Sequence, residues 1–148
     1  MQQHDVAYDF TLKDQDGNER TLSIMVKDGP VVLFFYPAAL SAGCTKESCH
    51  FRDLNAEFTA LGAQPVGISM DSADRQAQFS RKNGFAFPLL TDEDGEVARH
   101  YGVKRALNFL KVKRATFIIG EDMVIRDVIH SEVNLNTHAD RALEALRA

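Results

Sequence analysis

The chain has 148 residues, 45% of them hydrophobic and 26% charged, and we expect one domain over 1–148 with a sizeable core. Its 17 Lys and Arg against 21 Asp and Glu give a net charge of -4, which argues against nucleic acid or an anionic membrane as a partner. A basic segment followed by a long apolar run is missing, so no membrane span is expected and the cytoplasm is the expected location.

Strand and helix patterns alternate along the chain, beginning with an N-terminal β-hairpin. Its strands are predicted at 10–12 and 19–22, around an Asp-Gly turn at 16–17. The apolar run at 31–36 follows Gly29 and Pro30 and is typical of a central strand buried on both faces. Pro37 ends this strand because proline has no amide to donate to a neighbouring strand.

The rest of the chain continues the alternation. A helix is predicted from about Cys44 to a stop at Gly62, a second one after a cap at Ser72, and a closing one after a cap at Thr137. The other predicted elements are a buried strand at 65–70, a short edge strand at 87–90, a short helix between 95 and 101, and paired strands at 116–119 and 124–129. This order indicates an α/β fold, with a central mixed sheet flanked by helices on both faces.

The most informative segment connects the 31–36 strand to the following helix. Two cysteines are too few for a disulfide-stapled secreted scaffold, and in a reducing compartment such a pair indicates redox turnover or metal binding. Cys44 is predicted at the carboxyl end of the sheet, in the first turn of the helix. There, free amides and the positive end of the helix dipole favour the thiolate, which is the nucleophilic form. Ser41, three residues earlier, can direct its hydroxyl to the sulfur or to a bound oxygen substrate.

Each of these residues also has a purely structural interpretation. Taken alone, Cys44 is more often a small core residue, Pro37 a strand end and Ser41 a turn cap. The combined spacing of the three, at a junction between strand, loop and helix, is much more specific than any one of them.

This spacing resembles the peroxiredoxin family, of the AhpC/TSA type, whose pattern is Pro, three residues, Thr or Ser, two residues, Cys. It falls on Pro37, Ser41 and Cys44. The run GCTKESC at 43–49 is similar to the bacterioferritin comigratory protein branch, also called PrxQ, which often carries a second cysteine five residues after the first, here Cys49. The resemblance implies a thioredoxin fold and a thiol peroxidase, with no cofactor and no metal.

The resemblance also implies roles for the site residues. Arg114, before the 116–119 strand, is similar to the family's arginine that stabilises the thiolate and the transition state. Pro37 would shield the pocket, and Ser41 would offer its hydroxyl to the thiolate or the peroxide. From its position one helical turn after Cys44, and not from the resemblance, Glu47 is predicted to orient Arg114 through an ion pair, although it is equally a favourable acid in a first helical turn.

In the cycle that the resemblance implies, a hydroperoxide oxidises Cys44 to a sulfenic acid, and Cys49 condenses with it to a disulfide. Five helical residues rise roughly 7.5 Å and turn through about 140°, so the two side chains point apart. A disulfide needs Cα atoms within about 7 Å, and the start of the helix must therefore unwind. Thioredoxin or a similar dithiol would reduce the product, and the branch favours a monomer.

Two other functions share some of these features. A thioredoxin-like dithiol/disulfide oxidoreductase would have the same fold, but it requires Cys-x-x-Cys, whereas four residues separate the pair here. A metal-binding module could use Cys44, Cys49 and His50, although this spacing differs from common zinc pairs.

Two remaining features have simple interpretations. The other histidines are dispersed, and we interpret them as surface or locally bonded groups: His4, His100, His130 and His138. The acid-free basic stretch at 104–114 is interpreted as a solvated face around Leu107, Phe109 and Leu110. The alternative interpretation is that these three apolar residues cover the rim of the active site or a subunit contact.

Overall fold

The computed structural model describes residues 1–106 and 111–148. The prediction for Leu107, Phe109 and Leu110 lies outside these residues. The strands are β1 Thr11–Lys13, β2 Glu19–Thr21, β3 Val31–Phe35, β4 Gln64–Ser69, β5 Leu89–Thr91, β6 Ala115–Ile119 and β7 Ile125–His130. The helices are α1 Leu22–Met25, α2 Ala42–Asp53, α3 Asn55–Ala60, α4 Ala73–Asn83, α5 Glu96–His100 and α6 Thr137–Arg147, with a 3₁₀ turn at Val26–Asp28.

The strands form one mixed sheet in the order β2-β1-β5-β4-β3-β6-β7. β3, β4 and β5 are parallel, and β6 pairs antiparallel with β3. The two predicted hairpins, β1-β2 and β6-β7, are confirmed and lie at the two edges of the sheet. The prediction of an edge strand at 87–90 is wrong, because Lys13 of β1 pairs with Thr91 and places β5 inside the sheet.

The core has two layers, one on each face of β3. Val31, Leu33 and Phe35 face a layer that includes α1 and α5. Val32 and Phe34 face the other, built from α2, α3, α4 and α6. Alternate side chains of a strand point to opposite faces, so a continuous apolar run serves both layers. The predicted mixed sheet with helices on both faces is therefore confirmed.

The helix boundaries follow their capping residues with two differences from prediction. Ser72 caps α4 by accepting the amide of Arg75, as predicted. Thr137, by contrast, is the first residue of α6 and not its cap, a position that Asn136 takes without a side-chain hydrogen bond. The predicted helix from Cys44 begins two residues earlier and is broken at Leu54 into α2 and α3.

No helix in the two described ranges combines the length and apolar character needed to cross a membrane.

We expect Gly29→Ala to destabilise the fold more than Gly17→Ala. Gly29 has φ +138°, and an added Cβ would lie 1.9 Å from the carbonyl oxygen of Gly62. Gly17 has φ +83°, and a Cβ there would meet none of the described atoms within 4 Å. Gly17→Ala should therefore lower the free energy of unfolding only through backbone strain, by about 1–2 kcal/mol. Gly29→Ala should lower it by about 1–3 kcal/mol more, because the added Cβ also collides with Gly62. Equilibrium unfolding in urea measures both, and equal losses would contradict the close approach of the two turns.

Candidate active site

Cys44 lies in the first turn of α2, just beyond the carboxyl end of β3. Its side chain is fully buried, at 0% exposure. Ser41 is the N-cap residue of this helix, so Cys44 is its third residue and its amide points toward the cap. The sequence prediction of a cysteine at the first turn of a helix at this edge of the sheet matches this placement.

The Ser41 hydroxyl bonds to the backbone and not to the sulfur. Its Oγ donates to the carbonyl of Ala38 at 2.8 Å and accepts the amide of Cys44 at 3.4 Å. A hydroxyl has one proton to donate, and here that proton goes to Ala38. The expected hydroxyl contact with the thiolate is therefore corrected: in this structure Ser41 is a helix cap.

Arg114 reaches Cys44 because of the register between β3 and β6. Phe35 pairs with Ala115 in this antiparallel ladder, so Arg114 lies level with the residue that follows β3, near the start of the cysteine loop. Its Nη2 donates to Cys44 Sγ at 3.4 Å, and its side chain is 7% exposed. The main chain of Arg114 is also held, since its amide donates to Glu132 Oε1 at 3.0 Å.

Glu47 occupies the other side of the guanidinium. Its Oε1 accepts from Arg114 Nη1 at 3.1 Å, so the ion pair predicted between these residues is present in the structure. Burial raises the pKa of Glu47 to about 8, while the charge and hydrogen bond of Arg114 oppose that rise. Burial lowers the pKa of Arg114, but Glu47 and Cys44 outweigh it and leave the pKa raised. One buried cation is thus shared by a thiol and a carboxyl group.

The sequence analysis missed His138, which lies behind Glu47. It is 0% exposed, and its Nε2 lies 3.4 Å from Glu47 Oε2. The interpretation of this histidine as a surface group is wrong, whereas its bonding to neighbouring groups is confirmed. The sequence held a signal for its burial, because His138 precedes Ala142 by four residues and shares the apolar face of α6.

The loop between β3 and α2 is clamped at the peptide groups of Ala39. Asp71 Oδ2 accepts the amide of Ala39 at 2.7 Å, and Arg75 Nη2 donates to its carbonyl at 3.0 Å. The next residue, Leu40, has φ +68°, which is uncommon for a residue other than glycine. The clamp supports this backbone, and spacing along the sequence gave no indication that Asp71 would reach the loop.

Cys49 lies on the same helix as Cys44, and both thiols are free. Cys49 is half-buried, and its Sγ donates to Asn83 Oδ1 at 3.6 Å. Because α2 runs unbroken from Ala42 to Asp53, the two cysteines cannot be bonded in this conformation. Pro37, which is also half-buried, follows β3 as predicted.

The residues proposed for a metal site have other partners. His50 Nε2 lies 2.7 Å from Asp140 Oδ1 on α6, and Cys49 bonds to Asn83. Among the described residues, no group of three or more His, Cys, Asp or Glu side chains is arranged to hold a metal ion.

Comparison with known proteins identifies the family. Residues 4–128 match the AhpC/TSA family, and the chain belongs to it. Peroxiredoxin Q of the Sedum lineare chloroplast is 38% identical over 139 residues, which cover 94% of this chain and 74% of the relative. The crystal structure of peroxidoxin BcpB from Mycobacterium tuberculosis is 52% identical, with a TM-score of 0.95 over 99% of this chain and 97% of that one. The bacterioferritin comigratory protein of Xanthomonas campestris is 32% identical, with a TM-score of 0.85 over 93% and 90% of the two chains.

These relatives place the chain in the PrxQ, or bacterioferritin comigratory protein, branch, as its sequence indicated. The thioredoxin fold and the thiol peroxidase activity are likewise confirmed. Enzymes of this class act on peroxides with thioredoxin-type reductants. These relatives do not support the two alternative functions, a thioredoxin-like dithiol/disulfide oxidoreductase and a metal-binding module.

We expect Glu47→Gln to change how the stability of the reduced protein depends on pH. A carboxyl group whose pKa rises from 4.5 to about 8 on folding binds its proton more tightly in the native state. The stabilisation that this carboxyl group gives the folded state is therefore fully present below pH 4.5 and is lost as the pH rises through about 8. The free energy of unfolding of the wild type should fall over this range relative to Glu47→Gln. Urea titrations at several pH values measure it, with the exposed Glu93→Gln as control; parallel curves for all three proteins would count against the burial of this acid.

Proposed function

We propose that Cys44 is the peroxidatic nucleophile, Arg114 its electrostatic partner and Cys49 the resolving cysteine. The Cys44 thiolate attacks one oxygen of the hydroperoxide, the O–O bond breaks, and the other oxygen leaves as alkoxide or hydroxide and takes up a proton. The sulfur becomes a sulfenic acid. Cys49 then attacks this sulfur and displaces the oxygen as water, which forms an intramolecular disulfide.

The observation that carries this proposal is the hydrogen bond from Arg114 Nη2 to Cys44 Sγ at 3.4 Å. Both side chains are buried, so the attraction between guanidinium and thiolate is weakly screened by water. Guanidinium groups also present several donors in a fixed plane, and a donor beside the sulfur can bind a peroxide oxygen as negative charge develops on it. Pro37 and Ser41 remain predicted members of the pocket, with Pro37 as its shield and Ser41 as a hydroxyl available to bound peroxide.

Resolution requires part of α2 to unwind, because the intact helix holds the two cysteines apart. The first turn of α2 contains Gly43 and Thr45, which have low helix propensity. The segment between the cysteines also contains Glu47, so unwinding would remove the carboxyl group from Arg114. In our proposal the oxidised sulfur then becomes accessible to Cys49.

We propose hydrogen peroxide and organic hydroperoxides as substrates and thioredoxin or a similar dithiol as reductant. Catalysis acts on the O–O bond that all hydroperoxides share, and alkyl peroxide reduction is named for the related Xanthomonas protein. An unwound segment would expose the disulfide to a dithiol. We further propose that the protein is cytoplasmic, since a reducing compartment keeps both thiols free between turnovers. The resemblance to the PrxQ branch supports the proposal that it is a monomer.

Replacing either cysteine separates the two chemical steps. Cys44→Ser should abolish peroxide consumption, because serine forms no nucleophilic thiolate. Cys49→Ser should consume one equivalent of peroxide and then stall with thioredoxin as donor. Peroxide consumption in a coupled thioredoxin assay measures both, and full turnover by Cys44→Ser would end the assignment.

Oxidation should also reduce the helix content of the wild type. Mass analysis without reductant, after one equivalent of peroxide, should show a loss of two hydrogens within a single chain. Far-ultraviolet circular dichroism should show a loss of helix in the same sample, whereas Cys49→Ser should gain an oxygen and keep its spectrum. An unchanged spectrum in a disulfide-bonded wild type would contradict the unwinding step, and a covalent dimer would contradict intramolecular resolution.

A further inference from the structure

A buried polar chain behind the active site has no part in the reaction described so far. His138, in the first turn of α6, lies between Thr116 of β6 and the carbonyl of Ser131. Both distances are 2.8 Å, and Thr116 and His138 are 0% exposed. Buried polar groups usually have hydrogen-bond partners of this kind, but His138 also contacts Glu47 of the active site.

The two hydrogen bonds fix which ring nitrogen carries the proton. The Ser131 carbonyl only accepts, so His138 Nε2 donates to it, and Nδ1 then accepts the hydroxyl of Thr116. Burial lowers the pKa of His138, and the charge of Arg114 adds to this effect against the Ser131 hydrogen bond, so the ring is neutral. It therefore presents one N–H group, on the nitrogen nearest Glu47.

The Nε2 edge of the ring lies beside the half of the Glu47 carboxyl that Arg114 does not hold. Oε1 accepts from Arg114, whereas within the described parts of the chain Oε2 has no hydrogen-bond partner and lies 3.4 Å from His138 Nε2. Since Nε2 already carries a proton and donates it to Ser131, it cannot accept a hydrogen bond from a proton on Oε2. The fixed ring thus acts against the effect of burial on the pKa of Glu47 and favours the charged carboxylate, the form that binds Arg114 most strongly.

We propose that His138 is a positioning residue of the peroxidase: hydrogen bonds to Ser131 and Thr116 fix its ring so that Nε2 lies against Glu47 Oε2, and this contact holds the Glu47 carboxylate and, through it, the Arg114 guanidinium against Cys44. The inference rests on the proposed roles of Cys44 and Arg114. It extends the site to α6, a helix that contributes no atom to the reacting centre.

The first oxidation step gives the most direct test. In a Cys49→Ser background, where resolution does not interfere, the rate of sulfenic acid formation with hydrogen peroxide is measured by rapid mixing. His138→Asn keeps an acceptor for Thr116 but has no group at the Nε2 position, and it should slow the step about tenfold, which corresponds to about 1.4 kcal/mol of lost transition-state stabilisation. His138→Gln places an amide N–H near the Nε2 position and should restore most of the rate.

A control variant on the same pair of helices distinguishes the positioning of Glu47 from a general stabilisation of the contact between α2 and α6. His50→Asn removes the Nε2 contact with Asp140 that also joins α2 to α6, but it leaves Glu47 and His138 in place. This variant should oxidise at the rate of its parent. If it slows as much as His138→Asn, or if His138→Gln is no faster than His138→Asn, the proposal is wrong.

A double-mutant cycle tests whether the effect passes through Glu47. His138→Asn should have little further effect when Glu47→Gln is already present, because the carboxylate that it holds is gone. If the two substitutions instead slow oxidation by independent factors that multiply in the double variant, the inference is wrong. Failure of the Cys49→Ser parent to form a sulfenic acid would instead refute the proposed function, and urea unfolding of each variant confirms that the compared proteins are folded.

Discussion

One buried guanidinium, shared between a thiol and a carboxyl group, is the interaction on which the rest of this site depends. Arg114 donates to Cys44 and Glu47 with different nitrogens of the same plane, which fixes its orientation as well as its charge. Such a group is costly to bury unless it is paired, so the pairing and the burial require each other. The sheet, the helix and the loop that surround it satisfy this requirement.

In the proposed catalytic cycle, α2 must meet two opposing demands. An intact helix is needed to place Cys44 and Glu47 on either side of Arg114, and an unwound one is needed for Cys44 to reach Cys49. The surrounding structure restrains both ends of the segment. Ala39 is clamped before the helix, and His50 contacts α6 near its end. Unwinding can therefore be confined to the turns that carry the reacting groups, while the remaining fold stays in place.

Three errors in the sequence analysis share one cause. The strand at 87–90 reads as an edge strand because its length and composition do not reveal that β1 adds to it. Ser41 has a hydroxyl that could bond to several acceptors, and the carbonyl of Ala38 is the nearest only in the folded loop. The spacing of His138 from Ala142 is a signal for its burial, but it does not reveal that Glu47 is the group that His138 contacts. Each outcome depends on a partner that is distant in sequence or set by loop conformation, and pattern arguments do not specify such partners.

Local chemistry explains what the sequence determined by itself. The apolar run before Pro37, the spacing from Pro37 to Cys44 and the cysteine pair are properties of consecutive residues, and they indicated the fold class, the proposed nucleophile and its helix. Tertiary structure decided which groups surround the sulfur. Arg114 is 70 residues from Cys44 and is brought to it by the register of β3 and β6, and His138 reaches Glu47 only because α6 packs against α2. Contacts between remote residues arise from the packing of whole elements, which no short stretch of sequence encodes.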